Sequence, residues 1–358
     1  MFAVIMAGGL GTRLWPISRQ AKPKQFHKFV SEKSLIEETY DRLRPILAPE
    51  KIFISTTKEY AGEIKRYLPE LPNGNIIIEP VTLGNAAACG LATAYLHKLD
   101  AASSAIFLPA DHIIKDNNRF LEILRFSFKI IEQYPDHIIT LGIEPTKPDT
   151  GLGYINMDEQ LLKQEDFRVF SVKKFVEKPK LDKAKEYVKS WDYLWNSGIF
   201  IWNNQHLLDL YSKHLPKTAS ALKNIQASLL TEAEDEAIKT HYPNCDINSI
   251  DYGILEKEKN ILVLPCNFGW SDIGSWSSLL EFLKSAYSTK VIAKGHHIGL
   301  KDDNCLIMGN DKLIATFGLK DTIIIDSPDA LLVCNSKQSP ELKLLLNKLK
   351  SENKHPYL

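Results

Sequence analysis

An α/β fold with a mainly parallel sheet, followed by a small β-rich domain, is predicted by three features of this 358-residue chain. Short apolar runs alternate with helical patterns over the N-terminal part, which suggests βαβ units. The first of these runs are apolar throughout, as strands are when helices cover both faces of a sheet. From about Tyr287 the composition shifts to short strand candidates separated by turn signals and closed by one amphipathic helix.

Phe2–Met6 is the first strand and runs into glycines. Ser34–Leu47 reads as a helix with Leu35, Leu43 and Leu47 on one side. Ile52–Ser55 and Asn75–Glu79 are strands, and Asn85–Leu99 is an alanine-rich helix. Ala105–Leu108 is a buried strand, Arg119–Gln133 a helix and His137–Ile143 another strand. The Pro/Gly loop Thr146–Gly153 breaks the pattern. After it, Phe167–Val176 alternates like a strand with one wet face, and Leu194–Trp202 is an aromatic strand. Ala219–His241 is helical and acidic in its middle, and Ile261–Leu264 is a strand. The stretch of about 146–260 reads as a lobe inserted into the core, suited to a second substrate.

Further on, Cys305–Met308, Leu313–Phe317, Thr322–Ile325 and Ala330–Val333 are strands split by Gly-Asn, Gly-Leu-Lys and Ser-Pro-Asp turns. The last helix has Ser339 as N-cap, Pro340 at its first position and Leu342, Leu345, Leu346 and Leu349 on one face. The expected domains are 1–285 and 286–358.

Composition excludes several classes. Lys plus Arg and Asp plus Glu each number 44, so the net charge is zero and the basic surplus of a nucleic-acid binder is missing. Hydrophobic residues make up 44%, which argues against disorder. No apolar run reaches the roughly 18 residues of a membrane helix, and Phe2–Ala7 is too short for a signal peptide. The five cysteines are odd in number and widely spaced, without a Cys-x-x-Cys pair. They read as buried small residues in a cytoplasmic protein, not as disulfides or a zinc site. His296-His297 reads as an exposed pair in a turn.

The strongest chemical signal follows the first strand: Ala7-Gly8-Gly9-Leu10-Gly11-Thr12-Arg13. Glycines there let the backbone approach a phosphate and offer N–H donors. Leu14 stands where a dinucleotide fingerprint needs its last glycine, and Gly11 lacks the Lys-Ser/Thr of a Walker loop. What fits is a glycine loop with its own Arg13, backed by Lys22 and Lys24. Three cations could spread over a triphosphate under attack; a plain glycine turn with surface lysines is the alternative. Asp111 follows an apolar strand, where open α/β sheets bind ligands, or else is a turn aspartate. Glu177-Lys178 ends a strand and is either a phosphate-and-hydroxyl pair or a solvated one. Trp195, Trp202, Trp270 and Trp276 are more often core than sugar platforms.

The run Gly8–Arg19 with Pro23-Lys24-Gln25-Phe26 resembles the signature of the sugar-1-phosphate nucleotidylyltransferases, and Trp15 and Pro-Lys-Gln-Phe favour their mannose-1-phosphate guanylyltransferase branch. The resemblance continues through Pro109–His112, Phe175–Pro179, Trp195–Phe200, Trp270–Trp276 and Asp329–Val333. It therefore covers essentially the whole chain. It implies a Rossmann-like mixed-sheet nucleotidyltransferase core, with a sugar-binding lobe at about 146–260, and a small β-helix-like domain at 286–358.

The resemblance also implies GTP and mannose 1-phosphate as substrates and GDP-mannose and pyrophosphate as products. Gly8, Gly9, Gly11, Thr12, Glu79, Asn85 and Asp111 would bind the nucleotide, and Arg13 and Lys24 would be catalytic. Asp111 and Asp272 would hold Mg²⁺. Gly153, Tyr154, Glu177, Lys178, Asn196 and Gly198 would bind the sugar phosphate. His112 is not needed as a base, because a phosphate oxygen is already anionic. A homodimer is compatible with the apolar C-terminal strands. With the chain ending at Leu358 there is no room for a cupin barrel, so isomerase activity is not expected.

One segment departs from the pattern. Glu79, Pro80 and Asn85 are kept in Glu79–Ala88, but the family's arginine, threonine and second proline are absent. The alternatives are therefore another nucleoside triphosphate, another sugar 1-phosphate, or an idle subunit that binds nucleotide sugars. An idle relative usually loses Arg13, Lys24, Asp111 or Asp272, and all four are present.

Overall fold

A computed structural model describes residues 1–9, 11–164, 166–287 and 289–358. Its two compact units are not consecutive stretches. The first comprises Met1–Gly8, Thr39–Ala110 and Ile114–Trp270, and the second Gly9–Glu38, Asp111–Ile113 and Ser271–Leu358.

The first unit is built on nine strands: β1 (Phe2–Met6), β2 (Ile52–Thr57), β3 (Ile76–Glu79), β4 (Ser104–Pro109), β5 (Ile138–Ile143), β6 (Tyr154–Gln164), β7 (Phe167–Val176), β8 (Tyr193–Asn203) and β9 (Ile261–Cys266). Their order in the sheet is β3-β2-β1-β4-β8-β5-β9-β7-β6. β1 lies parallel between β2 and β4, with Ala3 opposite Ile52 and Phe2 opposite Ala105. Helices on both faces leave no wet side here, so Phe2 to Ile5 are all buried. β8 runs antiparallel to both β4 and β5, which makes the sheet mixed, as expected. The core gathers Phe53, Phe107, Trp202, Leu91 and Tyr211. Small residues let the helix Asn85–Leu99 sink into it: a Cβ on Gly90 would come within 2.7 Å of the Leu222 side chain.

The second unit contains a parallel coil formed by β10 (Val291–Lys294), β11 (His297–Leu300), β12 (Cys305–Met308), β13 (Ile314–Phe317) and β14 (Thr322–Asp326), with β15 (Leu331–Asn335) antiparallel on its end. Pairing of β10 with β12, β11 with β13 and β12 with β14 alternates between two faces, which is the winding of a β-helix. Leu14, Trp15 and Phe29 of the N-terminal segment share one apolar core with Trp276, Leu306, Ile323 and Leu342. The Trp15 indole donates to the Tyr357 carbonyl at 2.6 Å, and the Trp276 indole to the Trp15 carbonyl at 2.8 Å. Arg19 grips Asp329 with both terminal guanidinium nitrogens.

Several elements differ from expectation. The first helix runs only Leu35–Leu43, because Pro45 supplies no N–H and disfavours helical backbone before it. The acidic stretch 219–241 is two helices, Pro216–Ser228 and Glu234–His241. Its acids lie in the first turn of the second helix, where the helix dipole favours them, and Glu234 bonds back to the Leu230 N–H at 2.7 Å. The last helix begins at Leu342, after the 3-10 turn Ser336–Glu341. Ser339 is not its N-cap; its hydroxyl accepts from the Ser277 N–H at 3.0 Å. Leu345 is exposed while Leu342 and Leu346 are buried. β6, β10 and β11 were not anticipated. His297 lies in β11, half-buried, with Nε2 2.8 Å from the Thr316 hydroxyl.

Candidate active site

In the second unit, the glycine loop and two distant aspartates meet on one lysine. Gly11 has φ 56°, a left-handed conformation, and caps the single turn Thr12–Leu14. A Cβ on Gly11 would overlap the Lys24 Cβ. Lys24 opens the short turn Lys24–Phe26 and is only 4% exposed. Its Nζ lies 3.0 Å from Asp111 Oδ2 and donates to the Asp272 carbonyl. Burial pushes the Asp111 carboxyl up, but the Lys24 ammonium, with His112 behind it, outweighs that and holds it below the usual carboxylate range. His112 Nε2 is 3.9 Å from Asp111 Oδ1.

Asp272 Oδ1 accepts from the Gly274 N–H at 3.2 Å. Ile273 between them has φ 43°, a strained conformation for a β-branched residue. Thr12 is half-buried, whereas Arg13 and Lys22 are exposed. Lys24 draws in one carboxylate, that of Asp111, and the main chain of Asp272, and the two aspartates offer the hard carboxylate oxygens that Mg²⁺ takes in ones and twos, with phosphates and water completing its shell. Among the described residues no group of three or more His, Cys, Asp and Glu side chains forms a metal cage. Asp111 and Asp272 are the two carboxylates here whose chemistry fits such a cation.

In the first unit, β1, β2 and β3 run parallel, so Gly8, two residues past the end of β1, and Glu79, the last residue of β3, lie at the same, carboxyl end of the strands. A Cβ on Gly8 would lie 3.4 Å from Glu79 Oε1. Glu79 is buried, and its Oε2 accepts from the Tyr242 hydroxyl at 2.6 Å. Burial pushes this carboxyl up to about 7, although the Tyr242 bond works against it. Asn85 uses its side-chain oxygen to accept from the Ile250 N–H at 2.8 Å, so only its amide nitrogen remains as a donor.

The Glu79 shift has a measurable consequence. The unfolded chain releases this proton near 4.5 and the folded one near 7. The folded state therefore binds more protons between those values, and stability falls as pH rises through that window. Glu79→Gln is expected to reduce this slope, most clearly between about 6 and 7, read as the urea midpoint against pH for both proteins. An unchanged slope would mean that Glu79 is not its source.

A third cluster, also in the first unit, surrounds Asn196. The Asn196 N–H donates to the Gly153 carbonyl at 2.8 Å. Its side-chain oxygen accepts from the Gly198 N–H at 3.0 Å, and its Nδ2 donates to Asp251 Oδ1 at 3.0 Å. A Cβ on Gly153 would overlap Glu177 Oε2, so a side chain there would displace the Glu177 carboxylate from its present place. Lys178 pairs with Glu177 and has φ 45°, like Ile273 in the left-handed region. Asp251 opens a π-helical turn, Asp251–Leu255. Burial, then the Glu177 charge, push its carboxyl up to about 6.

Tyr154 is placed differently from the others. Its ring is fully buried and its hydroxyl donates to the Asp149 carbonyl at 3.0 Å, so it braces the loop before β6. Trp195, Trp202 and Trp276 are core, and Trp270 is half-buried. Sequence reasoning missed Tyr242 and Asp251. Nothing in the local sequence marks Tyr242, while Asp251 lies in the Ile-Asp-Tyr-Gly run that forms the π-helical turn. A cavity of about 360 Å³ elsewhere in the first unit, lined by Arg119, Phe167, Arg168, Trp191 and Tyr193 among others, contains none of the expected site residues. No helix among the described residues is long and apolar enough to cross a membrane.

Residues 2–289 match the nucleotidyl transferase family, and residues 295–349 match the MannoseP isomerase/GMP-like beta-helix domain. A mannose-1-phosphate guanylyltransferase of Salmonella montevideo is 35% identical over 360 residues, covering 99% of this chain and 75% of that protein. One of Escherichia coli K12 is 31% identical over 367 residues, covering 100% and 75%. The crystal structure of a mannose-1-phosphate geranyltransferase from Thermus thermophilus superposes with a TM-score of 0.85 at 28% identity, over 98% of this chain and 99% of that one.

Proposed function

The chain belongs to the mannose-1-phosphate guanylyltransferase family of nucleotidyltransferases, and from that premise we propose that it joins GTP and α-D-mannose 1-phosphate into GDP-mannose and pyrophosphate. The observation that carries the reading is the Lys24 cluster, which ties the turn at Gly11 to Asp111 and Asp272. Such a cluster has little chemistry to do beyond neutralising and positioning phosphates, and that is what phosphoryl and nucleotidyl transfer demand.

The sugar phosphate brings an oxygen that is already anionic, so no general base is required. This oxygen attacks the α-phosphorus in line. Its new P–O bond forms as the bond to the β-phosphate breaks, and pyrophosphate leaves. Backbone N–H groups of Gly8, Gly9 and Gly11, with the Thr12 hydroxyl, hold the triphosphate. Arg13 and Lys24 stabilise charge that builds up on the transferring and leaving phosphates. Asp111 and Asp272 would hold Mg²⁺, which supplies further positive charge against the phosphates when bound. Lys178 steadies the incoming phosphate, Glu177, Asn196 and Gly198 meet the hexose, and Gly153 leaves room for Glu177. Glu79 and the Asn85 amide face the nucleotide base. The five free cysteines suit work in the cytoplasm.

The altered Glu79–Ala88 segment makes specificity the point to test. GTP, ATP, UTP, CTP and dTTP should each be assayed for pyrophosphate release against mannose, glucose and glucosamine 1-phosphates. Release is expected with GTP and mannose 1-phosphate, and at least tenfold less with any other pair. Preference for another pair would keep the chemistry and overturn the assigned substrates.

A further inference from the structure

We propose that Asp251 is a positioning residue that fixes the Asn196 amide for hexose selection. The inference rests on the reading of this cluster as the sugar site. A side-chain amide has two faces, one donating and one accepting, and can be turned over. Here both faces are assigned. The Gly198 N–H requires the amide oxygen on its side at 3.0 Å, and the Asp251 carboxylate requires the nitrogen on the other at 3.0 Å. An ionised carboxylate only accepts, so it excludes the flipped amide.

Among the described residues that arrangement leaves Asn196 one N–H and one lone pair at a fixed angle, beside the Glu177 carboxylate that Gly153 admits. One donor and several acceptors at set positions can distinguish hydroxyl epimers, because the wrong epimer leaves a buried group unpaired. The π-helical turn at Asp251 is consistent with this role, since such turns are rare and frequent at functional sites. Glu177 and Lys178 are the charged groups that act on Asp251.

The test is Asp251→Asn, which keeps the shape but can donate as well as accept. The expected result is a KM for mannose 1-phosphate raised about tenfold, with kcat and the KM for GTP within a factor of two. Preference for mannose over glucose 1-phosphate should fall by a similar factor. If that variant is poorly folded, Asp251→Glu and a double-mutant cycle with Asn196→Ala supply the answer: the Asp251 effect on KM should largely vanish once Asn196 is gone. An unchanged KM and sugar preference in a folded variant, or full additivity in the cycle, would overturn the proposal. Failure of the wild-type chain to use mannose 1-phosphate would instead count against the proposed function.

Discussion

Lys24→Ala is expected to lower kcat by about a hundredfold or more, the scale of removing one preorganised charge from a transferring group. Lys24 is almost wholly buried, its ammonium is 3.0 Å from Asp111, and it also donates to the Asp272 carbonyl. Removing it withdraws a cation from the phosphates and leaves Asp111 without its main counter-charge. The Asp111 carboxyl, now held below its ordinary range, should rise, and acid inactivation should begin at higher pH. Lys24→Met keeps the side-chain length and should be equally inactive while folding normally. Arg13→Ala should lower turnover more than tenfold with little change in stability, because Arg13 is exposed. Near-normal kcat in both the Lys24 and the Arg13 variants would sink these roles.

Gly11→Ala should fail for a different reason. At φ 56° an alanine costs about 1–2 kcal/mol in backbone strain alone. Its Cβ would also overlap the Lys24 Cβ, and neither atom lies at the free end of a flexible chain. The turn or Lys24 must move, and about 1 Å of misplacement is enough for a hundredfold loss. Both the urea midpoint and kcat should drop. Gly9 is the control: nothing lies within 4 Å of a Cβ placed there, so Gly9→Ala should keep its stability. Equal stability of the two alanine variants would show that the Gly11–Lys24 contact does not constrain the loop.

Much of this site was legible because its parts lie in contiguous motifs. Gly8, Gly9, Asp111 and Glu177-Lys178 each fall just after a strand, where apolar runs and glycines mark them, and Asn196-Gly198 lie within the aromatic strand β8. The partners that fix them could not be read this way. Tyr242 reaches Glu79 across 163 residues, and Asp251 reaches Asn196 across 55. These are tertiary contacts with no local periodicity. Tyr154 looked like a ligand by its place in Gly-Leu-Gly-Tyr, yet its ring is fully buried.

The same contrast holds for the fold. The first strand and the helix Asn85–Leu99 begin and end where the sequence indicates. The acidic helix does not, because three acids in a row suit a helix start better than a helix middle. The β-helix strands β10 and β11 were missed because four-residue rungs with exposed Ile298 and Leu300 do not alternate as a sheet with one buried face would.

The most direct measurement of the central claim is product formation from GTP and mannose 1-phosphate with Mg²⁺, by the wild-type chain and Lys24→Ala side by side. GDP-mannose and pyrophosphate should appear in equal amounts with the wild type and be at least a hundredfold slower with the variant. Folded wild-type protein that binds GTP yet releases no pyrophosphate would contradict the account and favour a nucleotide-sugar-binding subunit without catalysis.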